Sequence, residues 1–370
     1  MKTYPLESIS LEEAMEFQFQ MVDEITHQFQ GHESLTRGDL GVVPGLNKPV
    51  TTKKAEQAIA GFFDTEGALL VRGSGTAAIR WALFAAAGPG SQILVHDAPI
   101  YSTTETSMRM LGLTPVRANF NDLEQIRTIV KNNPDIAAAL IQYTRQVPGD
   151  KYDMAQVIQT IKECKNIPIV TDDNYAVMKV KSTGAQLGAD LSCFSTFKLQ
   201  GPEGIGCIIG KKELIDKISR ELYSGGSQTQ GWEAMEVLRG LVNAPVALAI
   251  QARTNEQLVK KVKELDHIKD AFLANAQSKV LIVEFDAPIA KAVLQEAEKL
   301  GALPNPVGAE SKYEIAPMFY RVSGTFLKED PQRSETMIRI NPNRSGPQTI
   351  LSILERAIDK GLSESVCACS

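Results

Sequence analysis

Seven short, largely apolar runs follow one another through residues 68–210 of this 370-residue chain, and as a set they do not alternate with polar residues. They are ALLVRG (68–73), SQILVHD (91–97), LTPVRA (113–118), AAALIQY (137–143), IPIVTDD (167–173), LSCFST (191–196) and GIGCIIG (204–210). A strand with one wet face alternates apolar and polar positions. A run that is apolar throughout belongs to a strand covered on both faces, as in a mostly parallel sheet layered between helices. Helical patterns separate several of the runs, among them TAAIRWALFAAAG (76–88), which Gly88 and Pro89 stop. The expectation is an α/β fold built on a seven-stranded, mostly parallel sheet.

The length suits two domains rather than one core. Residues 1–50 read as an N-terminal arm, first acidic and amphipathic, then a Gly/Pro-rich loop, GDLGVVPGLNKP. Residues 51–245 hold the seven runs and form the expected large domain. From 231 the texture changes to one or two long helices, WEAMEVLRGLVNAPVALAIQARTNEQLVKKVKEL, a bridge into a smaller α+β domain over 246–370. There KVLIVEFD (279–286), FYRVSGTF (319–326) and TMIRINPN (336–343) read as strands. APIAKAVLQEAEKLG (287–301) and PQTILSILERAIDKG (347–361) read as helices.

Charge and residue usage narrow the function classes. With 39 basic against 44 acidic residues and a net charge of −5, the chain lacks the basic footprint of a nucleic-acid partner. No apolar run reaches the roughly 18 residues that span a bilayer, and the first residues carry acids rather than a secretory apolar stretch. The five cysteines, Cys164, Cys193, Cys207, Cys367 and Cys369, are odd in number and without a framework spacing, which reads as a reducing cytoplasm. Cys367 and Cys369 suit a frayed tail better than a metal or thiol clip. Four histidines without ligand spacing give no expectation of a metal.

The candidate chemistry sits at the ends of the apolar runs. Asp172 closes one of them, at the edge where open α/β sheets bind ligands. Lys198 comes just after another, in FSTFKLQGPEGIG, an odd place for a solvated lysine. Its amine can bond an aldehyde cofactor when deprotonated, below its free pKa of about 10.4. Gly73, Ser74, Gly75 and Thr76 form a strand-to-helix turn whose N–H groups suit a phosphate. It is neither a Walker A loop nor GxGxxG. Tyr101, just past SQILVHD, offers an aromatic face to a flat ring.

Glycine turn, stacking tyrosine, strand-end acid and strand-end lysine, in this order, resemble the layout of fold type I pyridoxal 5′-phosphate (PLP) enzymes over about residues 40–345. The style is that of the cystathionine-lyase and class V aminotransferase groups. Ser74–Ile79 resembles the first group's SG-small-AAI turn, Tyr101-Ser102-Thr103-Thr104 its Tyr-Gly-Gly-Thr, Thr171–Ala176 its Val-Asp-Asn-Thr-Phe-Ala, and Ser195–Lys198 its Ser-x-Thr-Lys. The whole chain, including GDLGVVPGLN, TDDNYAVMKV, LYSGGSQ and IRINPNRSG, resembles the YhfS family of bacterial PLP-fold proteins.

The resemblance implies a fold type I large domain with a smaller C-terminal domain, PLP as cofactor, an amino-acid substrate and a homodimer. It implies a Schiff base on Lys198, which then shuttles the Cα proton, and Asp172 paired with the pyridinium nitrogen. Tyr101 stacks on the ring, while Ser74, Gly75, Thr76 and Ser195 hold the phosphate. Arg339, in MIRINPNR, resembles the arginine that grips the substrate carboxylate, with Arg344 and Arg321 as rivals. The Tyr-x-Arg pair of the cystathionine group is missing from PGLNKPVTTKK. Gly226, Ser227 and Gln228 are candidates to replace it in a phosphate cup shared between subunits. Arg145, in QYTRQVP, stands where an Asn near the ring hydroxyl is usual. Transamination is the leading expectation, with β/γ-elimination, racemisation and aldol cleavage as alternatives. A non-catalytic binding protein on this scaffold, or a nucleotide-binding protein using Gly73–Thr76, is the reading from another class.

Overall fold

The computed structural model describes residues 1–275, 279–308 and 310–367. The chain divides into two compact units: a larger one of residues 9–144 and 151–246, and a smaller one of residues 1–8, 145–150 and 247–370.

In the larger unit each apolar run becomes a strand: β1 Gly67–Arg72, β2 Gln92–His96, β3 Thr114–Ala118, β4 Ile136–Gln142, β5 Ile169–Asp172, β6 Leu191–Ser195 and β7 Ile205–Gly210. They form one sheet in the order β1-β7-β6-β5-β4-β2-β3. Only β7 runs against its neighbours. The short 196–204 connection explains the exception, since parallel neighbours need a crossover of a dozen or more residues. The central strands are buried from end to end, β5, β6 and β7 without interruption.

Helices α1 Leu11–Gln28, α2 Val50–Phe62, α3 Ser74–Ala86, α4 Ser102–Met110, α5 Leu123–Asn132, α6 Met154–Cys164 and α7 Lys212–Glu221 accompany the sheet. Their starts follow from local chemistry. Ser10 and Glu13 form a reciprocal capping box on α1, while Asp122 and Asp153 cap α5 and α6 by accepting from first-turn N–H groups. The alanine-rich face of α3 (Ala77, Ala78, Ala82, Ala85) packs with β-strand residues Leu69, Val71, Ile93 and Ile208 in one apolar core. Small side chains there bring the helix, and the turn that starts it, close to the sheet.

The stretch from 231 is a single helix, α8 Gly231–Val262, continuous through Pro245. In the smaller unit a four-stranded sheet runs β10-β11-β9-β8, all antiparallel, from β8 Ile268–Leu273, β9 Leu281–Phe285, β10 Met318–Arg321 and β11 Met337–Asn341. Alternation separates its faces. Leu281, Val283, Phe285, Ile338 and Ile340 join one core with α9 Ala290–Lys299 and α12 Pro347–Cys367. Ile282 and Met337 join the other, with Phe272 and Phe326.

Two details correct the sequence reading. FYRVSGTF is not one strand: β10 stops at Arg321, and Ser323 accepts from the Phe326 N–H to cap the short helix α10 Gly324–Glu329. A further short helix, α11, follows at Arg333–Thr336. The edge strand β8 had no expectation, because its charged residues Lys269 and Asp270 break the apolar pattern. Both are paired, Lys269 with Glu284 at 2.6 Å and Asp270 with Lys263 at 2.9 Å. Asn275 ties the separate segments of this unit together. Its amide donates to the carbonyls of Val147, Pro148 and Asp150 and accepts from the Tyr4 N–H. Among the described residues no helix is long and apolar enough to cross a membrane. Cys369 lies outside the described residues, and of the Cys367 side chain nothing is described.

Candidate active site

Three turns of the larger unit meet at one edge of its sheet, where β1, β5 and β6 end. The first leads from β1 into α3. Gly73 (φ 105°) and Ser74 (φ 61°) are both in the left-handed region, and their N–H groups donate to the Gly204 carbonyl at 2.6 and 2.8 Å. The N–H groups of Gly75 and Thr76 then belong to the first turn of α3, where no intrahelical acceptor exists. Gly206 on β7 allows this close approach: a Cβ there would lie 2.2 Å from the Ser74 carbonyl oxygen.

The second turn leaves β5 at Asp172, which pairs with Gln142 on one side and Cys193 on the other. Asp172 is buried, 6% exposed. Asn174 donates to its Oδ1 twice, from the backbone N–H at 3.1 Å and from Nδ2 at 2.8 Å, an Asx turn closed by a second amide. Burial pushes the Asp172 carboxyl above the ordinary range, against the pull of the Asn174 side chain, the Lys198 charge and the Asn174 N–H. Asp173 is buried as well and raised to about 6 by burial, although Thr171 and the Gly184 N–H work the other way. Gly184 N–H donates to it at 2.8 Å.

The third turn follows β6. Thr196 donates from both its N–H and its hydroxyl to the Ile205 carbonyl, closing the connection to β7. A single 3-10 turn, Phe197–Leu199, lifts Lys198 off the strand end. Its Nζ stands 3.4 Å from Asn174 Oδ1 and 3.9 Å from the centre of the Tyr175 ring. Tyr175 has φ 66°, a conformation that costs a bulky residue roughly 1–2 kcal/mol. Ser195 N–H donates to Asn174 Oδ1 at 3.0 Å, and the Ser195 and Ser74 hydroxyls share a hydrogen bond of 2.7 Å.

The structure therefore brings together Ser74, Gly75, Asp172, Ser195 and Lys198 from the sequence-derived set. Thr76 lies in the same helical turn as Gly75. Tyr101 heads α4 beyond the end of β2, with 41% of its surface exposed. Ser227 sits in a turn of its own, donating to the Ser224 carbonyl at 2.9 Å. Beside it the Gly226 carbonyl accepts from Arg72, and the buried Gln228 amide donates to the Leu222 carbonyl. Arg145 and Arg339 belong to the smaller unit. There Arg339 Nε donates to the Arg321 carbonyl at 2.6 Å, its guanidinium 4.1 Å over the Tyr320 ring, beside a cavity of about 20 Å³ lined also by Gln146, Asn275 and Ser323. Arg344 and the Arg321 side chain are exposed.

Asn174 and Tyr175 had no assigned role in the sequence. The available signal was the D-x-N spacing of an Asx turn directly after a strand. Cys193 and Cys207 are buried, and burial raises both thiols well above their usual range, with the Asp172 charge adding to the rise at Cys193. That suits packing rather than thiolate chemistry.

The donor set matches one kind of group. N–H groups at a helix start flanked by two serine hydroxyls suit a phosphate. A buried carboxyl, raised by burial and supplied with Asn174 donors at Oδ1, gains from a cation brought alongside it. An amine next to that carboxyl suits an aldehyde. A phosphorylated pyridine aldehyde carries all three complements.

Comparison with known proteins gives the family and the fold. Residues 21–239 match the family described as Aminotransferase class-V, and residues 256–354 match the YhfS-like C-terminal domain. The chain is similar to the uncharacterized protein YhfS of Escherichia coli (strain K12), with 53% identity over 97% of this chain and 99% of that protein. It is similar to the crystal structure of the pyridoxal-5′-phosphate-dependent protein YhfS from Escherichia coli, with TM-score 0.95 and 52% identity, covering 97% of this chain and 99% of that one. It shares its fold with a cystathionine γ-lyase (CalE6) from Micromonospora echinospora, at TM-score 0.72 and 17% identity, covering 93% and 99%.

Proposed function

Since this chain belongs to the aminotransferase class-V family and carries a YhfS-like C-terminal domain, we propose that it acts on an amino acid, as an aminotransferase, with Lys198 as the residue that bonds the cofactor. The protein is a PLP-dependent enzyme of fold type I. The bound cofactor supplies an electron sink for charge released at the substrate Cα. The single observation that carries the assignment of residues is the meeting of the Lys198 amine, the buried Asp172 carboxylate and the β1–α3 turn around Asn174.

Asp172 provides the negative partner that keeps the ring nitrogen protonated. Ser74, Gly75, Thr76 and Ser195 hold the phosphate through N–H and hydroxyl donors. With the cofactor bound, Lys198 would take the proton from the substrate Cα and, for transamination, deliver it to a carbon other than Cα. Tyr101 covers one face of the ring, Arg145 and Ser227 complete the cofactor's surroundings, and Arg339 grips the substrate carboxylate. The active form is a homodimer.

A screen of amino acids with the purified enzyme tests the reaction. Transamination leaves pyridoxamine phosphate on the enzyme and one keto acid per amino acid in the half-reaction. Release of ammonia with no pyridoxamine phosphate contradicts it and assigns the chain to elimination, as a lyase.

A further inference from the structure

We propose that Asn174 is a positioning residue of this site, whose one side-chain amide fixes the acid of β5, the lysine after β6 and the glycine turn relative to one another. This rests on the reading above, in which Asp172 and Lys198 carry the chemistry.

The amide orientation is forced. Ser195 N–H and the Lys198 ammonium can only donate, and both face Oδ1, at 3.0 and 3.4 Å. The Asp172 carboxylate can only accept, and it faces Nδ2 at 2.8 Å. An amide, with acceptor and donor on one planar head, answers both sides at once. A carboxylate lacks the donor and a hydrocarbon lacks both. Length is constrained too. A Cβ on Gly75 would lie 2.8 Å from both Oδ1 and Nδ2, so the head already packs against the glycine turn, and a longer amide would overrun that place. Both Asn174 donors converge on Oδ1 of Asp172. They work for the charged form of an acid that burial works against. The titratable groups around this head are Asp172 and Asp173 at the end of β5, Cys193 on β6 beside them, Tyr175 on the same turn, and Lys198.

Asn174→Asp and Asn174→Leu in the full-length enzyme separate positioning from bulk. Asn174→Asp keeps the shape. At neutral pH it is expected to bind PLP about tenfold or more weaker than wild type, the loss of one charge-assisted hydrogen bond. Lowering the pH protonates the new carboxyl, which can then donate to Asp172, so the deficit relative to wild type closes. Asn174→Leu has no such donor and stays weak at every pH. Wild-type affinity in both variants, or an Asn174→Asp deficit that does not change with pH, overturns the proposal. A second readout needs no bound cofactor: acylation of Lys198 in the cofactor-stripped protein, read by mass spectrometry of the peptide that contains it. A carboxylate facing the amine holds it protonated, so labelling in Asn174→Asp should be severalfold slower than in wild type. Unchanged labelling overturns the positioning role. Wild-type protein that takes up no PLP, while labelling still slows, refutes the parent reading alone.

Discussion

At the residue scale two opposing influences meet at Asp172. Burial opposes its charge, while Asn174 and Lys198 favour it. Asp172→Ala should weaken PLP binding by more than about a hundredfold, since breaking a buried charge pair costs on the order of 3 kcal/mol or more. Equilibrium titration by the visible cofactor band measures this, and near wild-type affinity would remove Asp172 from the site. Asp173 makes a separate prediction. A carboxyl at about 6 in the fold and near 3.9 when unfolded holds its proton longer in the native state. Stability therefore falls as pH rises between those two values and levels off above them. Asp173→Asn should flatten that decline, with a gain over wild type of up to roughly 3 kcal/mol above pH 6. Urea melts across the pH range give the answer, and parallel curves for both proteins would contradict it. That Asp172 and Lys198 stand at strand ends was legible in the sequence, because Asp172 closes one apolar run and Lys198 comes two residues after another. Asn174 and Tyr175 were not, because their partners come from β6 and from the β1–α3 turn, far away along the chain.

At the scale of elements, apolar runs located the central strands of the large sheet because those strands are buried on both faces, whereas the edge strand β3 is largely exposed. The same signal failed for β8, an edge strand whose charges face ion-pair partners. It also missed the break after β10, where a capping serine rather than a change of hydrophobicity ends the strand. The β1–α3 turn was legible as a phosphate-type motif, but the part played in it by β7 was not. Gly206→Ala would drive a methyl group into the Ser74 carbonyl and against Ala78. A loss of about 1–3 kcal/mol is expected from such overpacking, together with weaker PLP binding as the turn shifts. Gly346→Ala, where a Cβ meets nothing within 4 Å, is the control. Equal melting temperatures for the two variants would refute the close-approach explanation.

At the scale of the whole molecule, the chain is expected to sediment at twice its 40.4 kDa. A single chain leaves Leu35, Leu40 and Tyr223 more than 70% exposed, apolar surface that a partner subunit would cover. Monomer at micromolar concentration would contradict the dimer. The substrate side chain was not legible in the sequence, because no motif marks a side-chain pocket and the arginine candidates are spread over separate turns. One lysine, Lys198, is expected to carry the cofactor. The holoenzyme, reduced with borohydride and digested, should yield the phosphopyridoxyl group on the peptide containing Lys198 and on no other. The same mass on a different lysine, or no modified peptide from a protein that shows the visible band, would contradict it.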